Sequence, residues 1–205
     1  MVSSTPASFV FTKLAGFFLG AGGPLIFHFN IHSDRDVEIS VEKERTLTLP
    51  CKIRYSTGMT VIETRSTHET RRVAHLFAKE IVRAPRGRGA RVLALQGELG
   101  AGKTTFVQGF AHALGVKEKV KSPTFVLMKI YPLKKQNFRH LIHVDCYRLA
   151  SHRDLVHLGF KEMLKDPNAV ILIEWAERIK KILPRDAIHI QFTHTEKSYG
   201  RTIIL

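Results

Sequence analysis

The residues with the plainest chemistry are Lys103 and Thr104, which close the run Gly97-Glu98-Leu99-Gly100-Ala101-Gly102-Lys103-Thr104-Thr105. The run fits G-x-x-x-x-G-K-[ST]. A loop poor in bulky Cβ atoms lets successive backbone N–H groups turn inward around phosphate oxygens at the start of a helix, whose dipole favours negative charge. In that arrangement residues 98–105 line a nucleoside triphosphate: Glu98, Leu99, Gly100, Ala101, Gly102, Lys103, Thr104 and Thr105. Lys103 would reach the β- and γ-phosphates, and Thr104 would ligate Mg²⁺. A glycine-rich strand-to-helix turn has other uses, including the dinucleotide loop G-x-G-x-x-G. Thr105 stands where that loop needs glycine, and a Lys-Thr pair closes the run.

Two further strand-like runs end in carboxylates, Asp145 after Leu141-Ile142-His143-Val144 and Glu174 after Ala169-Val170-Ile171-Leu172-Ile173. In an open α/β sheet the carboxyl ends of the strands face the ligand crevice, so acids there would hold Mg²⁺ or polarise an attacking water. Lys103, Asp145 and Glu174 are therefore the catalytic candidates, and Thr104, Asp145 and Glu174 the metal candidates. The competing role for each acid is to cap the helix or turn that follows. Thr124, after Pro123, would present a hydroxyl to metal or phosphate, or satisfy its own turn. Trp175 reads either as core or as an aromatic lining the crevice. Arg148 reads as a phosphate or partner contact, or as a structural ion pair. His143 reads as a packed or partly exposed histidine, not a ligand.

The elements that must position these residues alternate. A strand at 60–64 precedes a helix with an S-x-x-E capping pair, Ser66 and Glu69, and an apolar face of Val73, Ala74, Phe77 and Ile81. A Pro85/Gly87/Gly89 loop leads to the strand before the phosphate loop, and the next helix should stop at Gly115. Strands follow at 126–131 and 141–144, joined by a polar turn at 134–137. A helix interrupted at Gly159 spans 154–164, the apolar strand 169–173 comes next, and a short basic helix covers 177–183. A terminal hairpin closes the chain, with Ile188/Ile190/Phe192 on one arm and Ile203/Leu205 on the other. This alternation predicts an α/β P-loop sandwich.

The 205 residues allow one substantial domain plus an appendage, and the formal charge is +14. Residues 1–58 carry a net +1, leaving +13 on residues 59–205. The basic surface therefore belongs to the nucleotide domain and suits a polyanionic partner, such as nucleic acid or an acidic protein. Cys51 and Cys146 show no C-x-x-C or zinc-ligand spacing, as expected in a reducing, cytoplasmic setting. The uncharged stretch 14–33 is broken by Gly20, Gly22, Gly23 and Pro24 and is a poor membrane span. Residues 1–58 are expected to be a poorly ordered extension or an upstream translated region, with the ATPase domain over 59–205.

The ordered set Gly97 to Thr105, Ser122-Pro123-Thr124-Phe125, His143-Val144-Asp145-Cys146-Tyr147-Arg148-Leu149 and Ile173-Glu174-Trp175-Ala176-Glu177 resembles the successive signatures of the TsaE (YjeE) family. These are small bacterial ATPases of the tRNA threonylcarbamoyladenosine pathway. The resemblance spans roughly residues 60–205. It implies a three-layer P-loop NTPase sandwich with a mixed, mostly parallel sheet, and ATP with Mg²⁺ as the bound nucleotide. Lys103, Thr104, Thr124, Asp145, Glu174 and Trp175 match positions used at the family's nucleotide site. It also implies action with TsaB and TsaD, slow hydrolysis that resets their complex between cycles, and tRNA engaged indirectly or through the basic surface. Family members begin near the strand at Thr60, so the pattern does not extend to residues 1–58.

Two other readings remain at this stage. A small-molecule P-loop kinase would need an acceptor pocket and an arginine-bearing lid, and residues 151–164 offer only Arg153. An ATP-dependent nucleic-acid-binding module would use the same +13 surface. A GTPase lacks its N-K-x-D guanine-reading motif here.

Overall fold

The computed structural model describes residues 59–134, 137–195 and 200–205 in full, together with Cys51 and the backbone of short strands between residues 9 and 56. The expectations for residues 1–58 and for the middle of the 134–137 turn fall largely outside these described residues. The central sheet is built from β1 (Lys52–Ser56), β2 (Met59–Thr64), β3 (Arg91–Gly97), β4 (Met128–Pro132), β5 (His140–Asp145), β6 (Ala169–Glu174), β7 (Ile188–His194) and β8 (Arg201–Ile204). Its order is β4-β5-β6-β3-β7-β8-β2-β1. Pairing is parallel through β5, β6, β3 and β7 and antiparallel toward both edges, which gives the mixed sheet expected.

The period-2 alternation of the central strands divides their side chains between two cores. Leu93 and Leu95 of β3, Val170 and Leu172 of β6 and Ile190 and Phe192 of β7 face one side. They pack there against α1 (Thr67–Arg83) and α2 (Lys103–Ala113). Val92 and Ala94, with Ala169, Ile171 and Ile173, face the other. Over these lie α3 (His152–His157), α4 (Phe160–Lys165) and the 3₁₀ helix Ala176–Ile182. β6 is buried at every position, and its sequence is continuously apolar up to Glu174. Cys51 and Cys146 are buried free thiols whose pKa values burial pushes up to about 12.

Local chemistry explains the boundaries. Ser66 accepts the Glu69 N–H, but Glu69 returns its carboxylate to the Arg65 N–H, one residue earlier than a reciprocal capping box would have it. Gly159, at φ +78, splits the expected 154–164 helix into α3 and α4. A full capping box between Ser151 and Asp154 starts α3. The strand expected from residue 126 begins at Met128, because Leu127 turns the chain with φ +61. The basic helix near 177–183 is a 3₁₀ segment with a kink at Ile179.

Helices α1 and α2 meet at Gly109, where an added Cβ would lie 2.5 Å from the Arg71 carbonyl oxygen and 2.6 Å from its Cα. Alanine gains up to about 1 kcal/mol of helix propensity over glycine, whereas forcing a methyl into packed backbone costs about 1–3 kcal/mol. Overpacking wins. Gly109→Ala should therefore lower the denaturation midpoint, by about 2–4 °C for each kcal/mol lost. A raised midpoint in thermal melts would show that α1 yields freely.

Candidate functional site

Strand β3 lies at the middle of the parallel region, and its carboxyl end delivers residues 98–102 to the start of α2. Gly97 takes φ +123 against β7, where a Cβ would collide with the Phe192 carbonyl. Gly102, at φ +104, occupies the cap position of α2. No side chain caps α2, and no acidic residue sits in its first turn. Its leading N–H groups thus form a helix terminus of the kind that takes an anion. The loop is gripped from outside by the terminal hairpin: Arg201 Nε donates to the Gly100 carbonyl at 2.9 Å and His194 Nε2 to the Leu99 carbonyl at 3.1 Å.

Lys103 is 4% exposed. Its ammonium donates to the Gly97 and Glu98 carbonyls at 2.6 and 2.7 Å and sits 3.9 Å from the centroid of the Trp175 ring. Burial lowers its pKa, and the carboxylates of Glu174, Glu177, Asp145 and Glu98 oppose that shift. Trp175 itself holds φ +59, a backbone region that bulky residues rarely enter. Strain of about 1–3 kcal/mol at such a residue persists where the surroundings over-determine it. Here those surroundings include the Tyr147 ring, 5.0 Å away between centroids.

Asp145 and Glu174 are register partners at the ends of the adjacent parallel strands β5 and β6, and each is 3% exposed. Glu174 Oε2 accepts from the Thr104 hydroxyl at 2.7 Å, and Oε1 faces His143 Nε2 at 2.8 Å. Asp145 Oδ2 accepts from Thr124 Oγ1 at 2.7 Å and from the Ser122 hydroxyl, while Oδ1 accepts the Tyr147 N–H at 2.9 Å. Two carboxylates and three hydroxyls supply hard oxygen donors. An ion shared with substrate phosphates needs only one or two protein carboxylates, so this set fits Mg²⁺.

Of the residues singled out in the sequence, Leu99, Gly100, Gly102, Lys103, Thr104, Thr105, Thr124, Asp145, Glu174 and Trp175 line one cleft of about 370 Å³. Glu98 and Ala101 do not line it. Glu98 lends a carbonyl to Lys103, and Ala101 is wholly buried beneath the loop. Arg148 forms no ion pair among the described residues; its guanidinium lies 4.5 Å from the ring of Phe125, which is 83% exposed.

Four contributors are not among the site residues read from the sequence. His143 is fully buried and is the partner of Glu174, not merely a packed side chain. Ser122 doubles the hydroxyl contact to Asp145, and His194 and Arg201 clamp the loop from the hairpin. For His143 the available signal is its position two residues before Asp145, on the same strand face as a carboxylate of the neighbouring strand. The hairpin contacts span about a hundred residues and leave no local trace.

A family model described as "Threonylcarbamoyl adenosine biosynthesis protein TsaE" matches residues 64–203. The tRNA threonylcarbamoyladenosine biosynthesis protein TsaE of Treponema pallidum is 42% identical over 99 residues, 48% of this chain and 70% of that protein. The protein of the same name from Bacillus subtilis is 41% identical over 99 residues, 48% of this chain and 59% of its own length. That from Rickettsia typhi is 38% identical over 126 residues, 61% of this chain and 80% of that protein. Among solved structures, Bacillus subtilis YdiB superposes with a TM-score of 0.56 at 30% identity, covering 74% of this chain and 86% of that one.

The chain has a single tryptophan, and it stacks on the lysine that would have to leave the loop carbonyls to meet a phosphate. Titration with ATP should therefore change intrinsic fluorescence in a saturable way, and Lys103→Ala should abolish the response. A wild-type titration with no change would count against the lysine moving on binding.

Proposed function

The chain belongs to the TsaE family, and from that premise we propose that it binds and slowly hydrolyses ATP with Mg²⁺ as a subunit of the tRNA N6-threonylcarbamoyladenosine machinery. The observation that carries the reading is the register pairing of Asp145 and Glu174 beside a phosphate loop whose lysine is buried among carboxylates. The bound magnesium ion would supply charge neutralisation at the β- and γ-phosphates. Lys103 would exchange its two loop carbonyls for phosphate oxygens. The Thr104 hydroxyl and one carboxylate would hold the metal, and Thr124 would turn from Asp145 toward the γ-phosphate. Glu174, oriented by His143, would polarise the attacking water. The charge inventory supports the slow turnover proposed: the single arginine lining the cleft, Arg148, is turned onto Phe125, so no guanidinium stands over the developing charge.

The role with partners rests on the mouth of the cleft, where Leu99, Phe125 and Val126 are 69%, 83% and 66% exposed. Exposed apolar residues grouped at a site mouth suit protein docking. Thr124 and the exposed Phe125 and Val126 share one turn, so a change at the phosphate would move the docking residues. TsaB and TsaD are the proposed partners, in the cytoplasm, with ATP turnover resetting their complex. No helix among the described residues is long and apolar enough to cross a membrane. Residues 59–205 would be the ATPase unit, to whose sheet Lys52–Ser56 adds an edge strand and to whose core Cys51 adds a buried side chain, and the residues before Cys51 would be an extension.

Lys103→Ala should lose ATP binding, association with TsaB and TsaD in a pull-down with ATP, and tRNA modification. Glu174→Ala should keep binding and lose about 10²–10³ of hydrolysis. Unchanged turnover there would remove Glu174 from the mechanism. His143 is a positioning residue, so His143→Leu should lower kcat by about tenfold or more with KM nearly unchanged. His143→Gln, which keeps a donor in the place of Nε2, should restore much of the rate. Equal rates for the Leu and Gln variants would reduce His143 to packing.

A further inference from the structure

A second and larger cavity, about 640 Å³, runs between α1 and α2 and shares no lining residue with the nucleotide cleft. One wall is α1, with Arg71 and Arg72; the other is the connection after α2, with Lys117 and Lys119. The floor is Leu76, Val116 and Val120, all buried. Glu118 is the one carboxylate among the lining residues, and Lys129 neutralises it across a 2.5 Å ion pair. With its histidines neutral the lining therefore carries a formal +3. Inside the groove His75 is held below the usual histidine range by burial first, and then by the nearby Lys79 and His112.

We infer that this groove binds the phosphodiester backbone of RNA, an inference that rests on the tRNA-modification reading above. Cations on two facing walls suit a string of phosphates more than a single anion. An acidic protein would also answer to the charge, but a protein interface needs exposed apolar anchors at its centre. None of the exposed large hydrophobic residues among the described ones lines this groove. The groove is also wired to the nucleotide cleft. Gln108 of α2 accepts from Arg71 at 3.0 Å and donates to the Val120 carbonyl at 3.1 Å, two residues before Ser122, which clamps Asp145. RNA seated on Arg71 would thus bear on the segment that holds the Mg²⁺ candidate.

The test is fluorescence anisotropy of the full chain with an unmodified tRNA transcript across a salt series, comparing wild type with K117E/K119E. Both lysines are exposed loop residues outside the nucleotide cleft. The variant should bind at least about tenfold more weakly. Its log–log salt slope should be shallower by about 1.5, as expected for two lost phosphate contacts. ATP hydrolysis and the tryptophan response to ATP should be unchanged. Equal tRNA affinity in variant and wild type overturns the proposal, as does a wild-type protein that binds a poly-aspartate peptide and not tRNA. In vitro modification with TsaB and TsaD separates the two levels. Wild type that supports modification while both forms bind tRNA alike sinks the groove alone. Wild type that supports none sinks the parent reading.

Discussion

Everything at the nucleotide site depends on one electrostatic constraint: an ammonium group must stay charged while nearly buried. Burial disfavours the charged form of Lys103, and four carboxylates around it oppose that shift. Those acids are useful only if the fold delivers them to the right place, and the sheet does so by register. Parallel pairing sets Asp145 beside Glu174 and Glu174 beside Leu95, so one slip along β5 or β6 would remove an acid from the crevice. The all-buried sequence of β6 is what forbids the slip, since its alternate residues fill two cores at once.

The phosphate loop is then held from a direction that the sequence order does not suggest. Strand β7 lies next to β3, so the hairpin of β7 and β8 reaches the Leu99 and Gly100 carbonyls. Pinning carbonyls from outside leaves the loop's N–H groups free to face inward. The hairpin is thus part of the binding apparatus, and its mixed pairing is the geometric consequence of adding antiparallel strands beyond a parallel centre.

Much of this was legible because the relevant signals are local. The loop spacing, the apolar runs ending in Asp145 and Glu174, and the hairpin alternation each depend on a few adjacent residues, and all were found in place. What was not legible depends on pairs far apart in the chain. His143 meets Glu174 across 31 residues, and its meaning appears only when β5 and β6 are set side by side. The displaced capping contact of Glu69 and the left-handed turns at Leu127 and Trp175 lack a glycine to announce them. In both turns tertiary contacts override local preference.

The His143–Glu174 pair also shows what the site costs. Nε2 faces a carboxylate oxygen and so points a proton at it, while Nδ1 is buried without a hydrogen-bond partner among the described residues. An unsatisfied buried polar atom costs about 1–3 kcal/mol, and apolar replacement of buried charged pairs is often neutral or stabilising. Stability therefore does not explain a histidine at this position. Orientation does: Thr104 and His143 occupy the two Glu174 oxygens from different sides and leave the carboxylate one setting. The same logic holds at Asp145, fixed by Ser122, Thr124 and the Tyr147 N–H. Both acids are fixed in orientation by the protein itself, so any reorganisation on nucleotide binding would fall on Lys103 and Thr104 at the loop and on Thr124 at the turn that carries Phe125 and Val126.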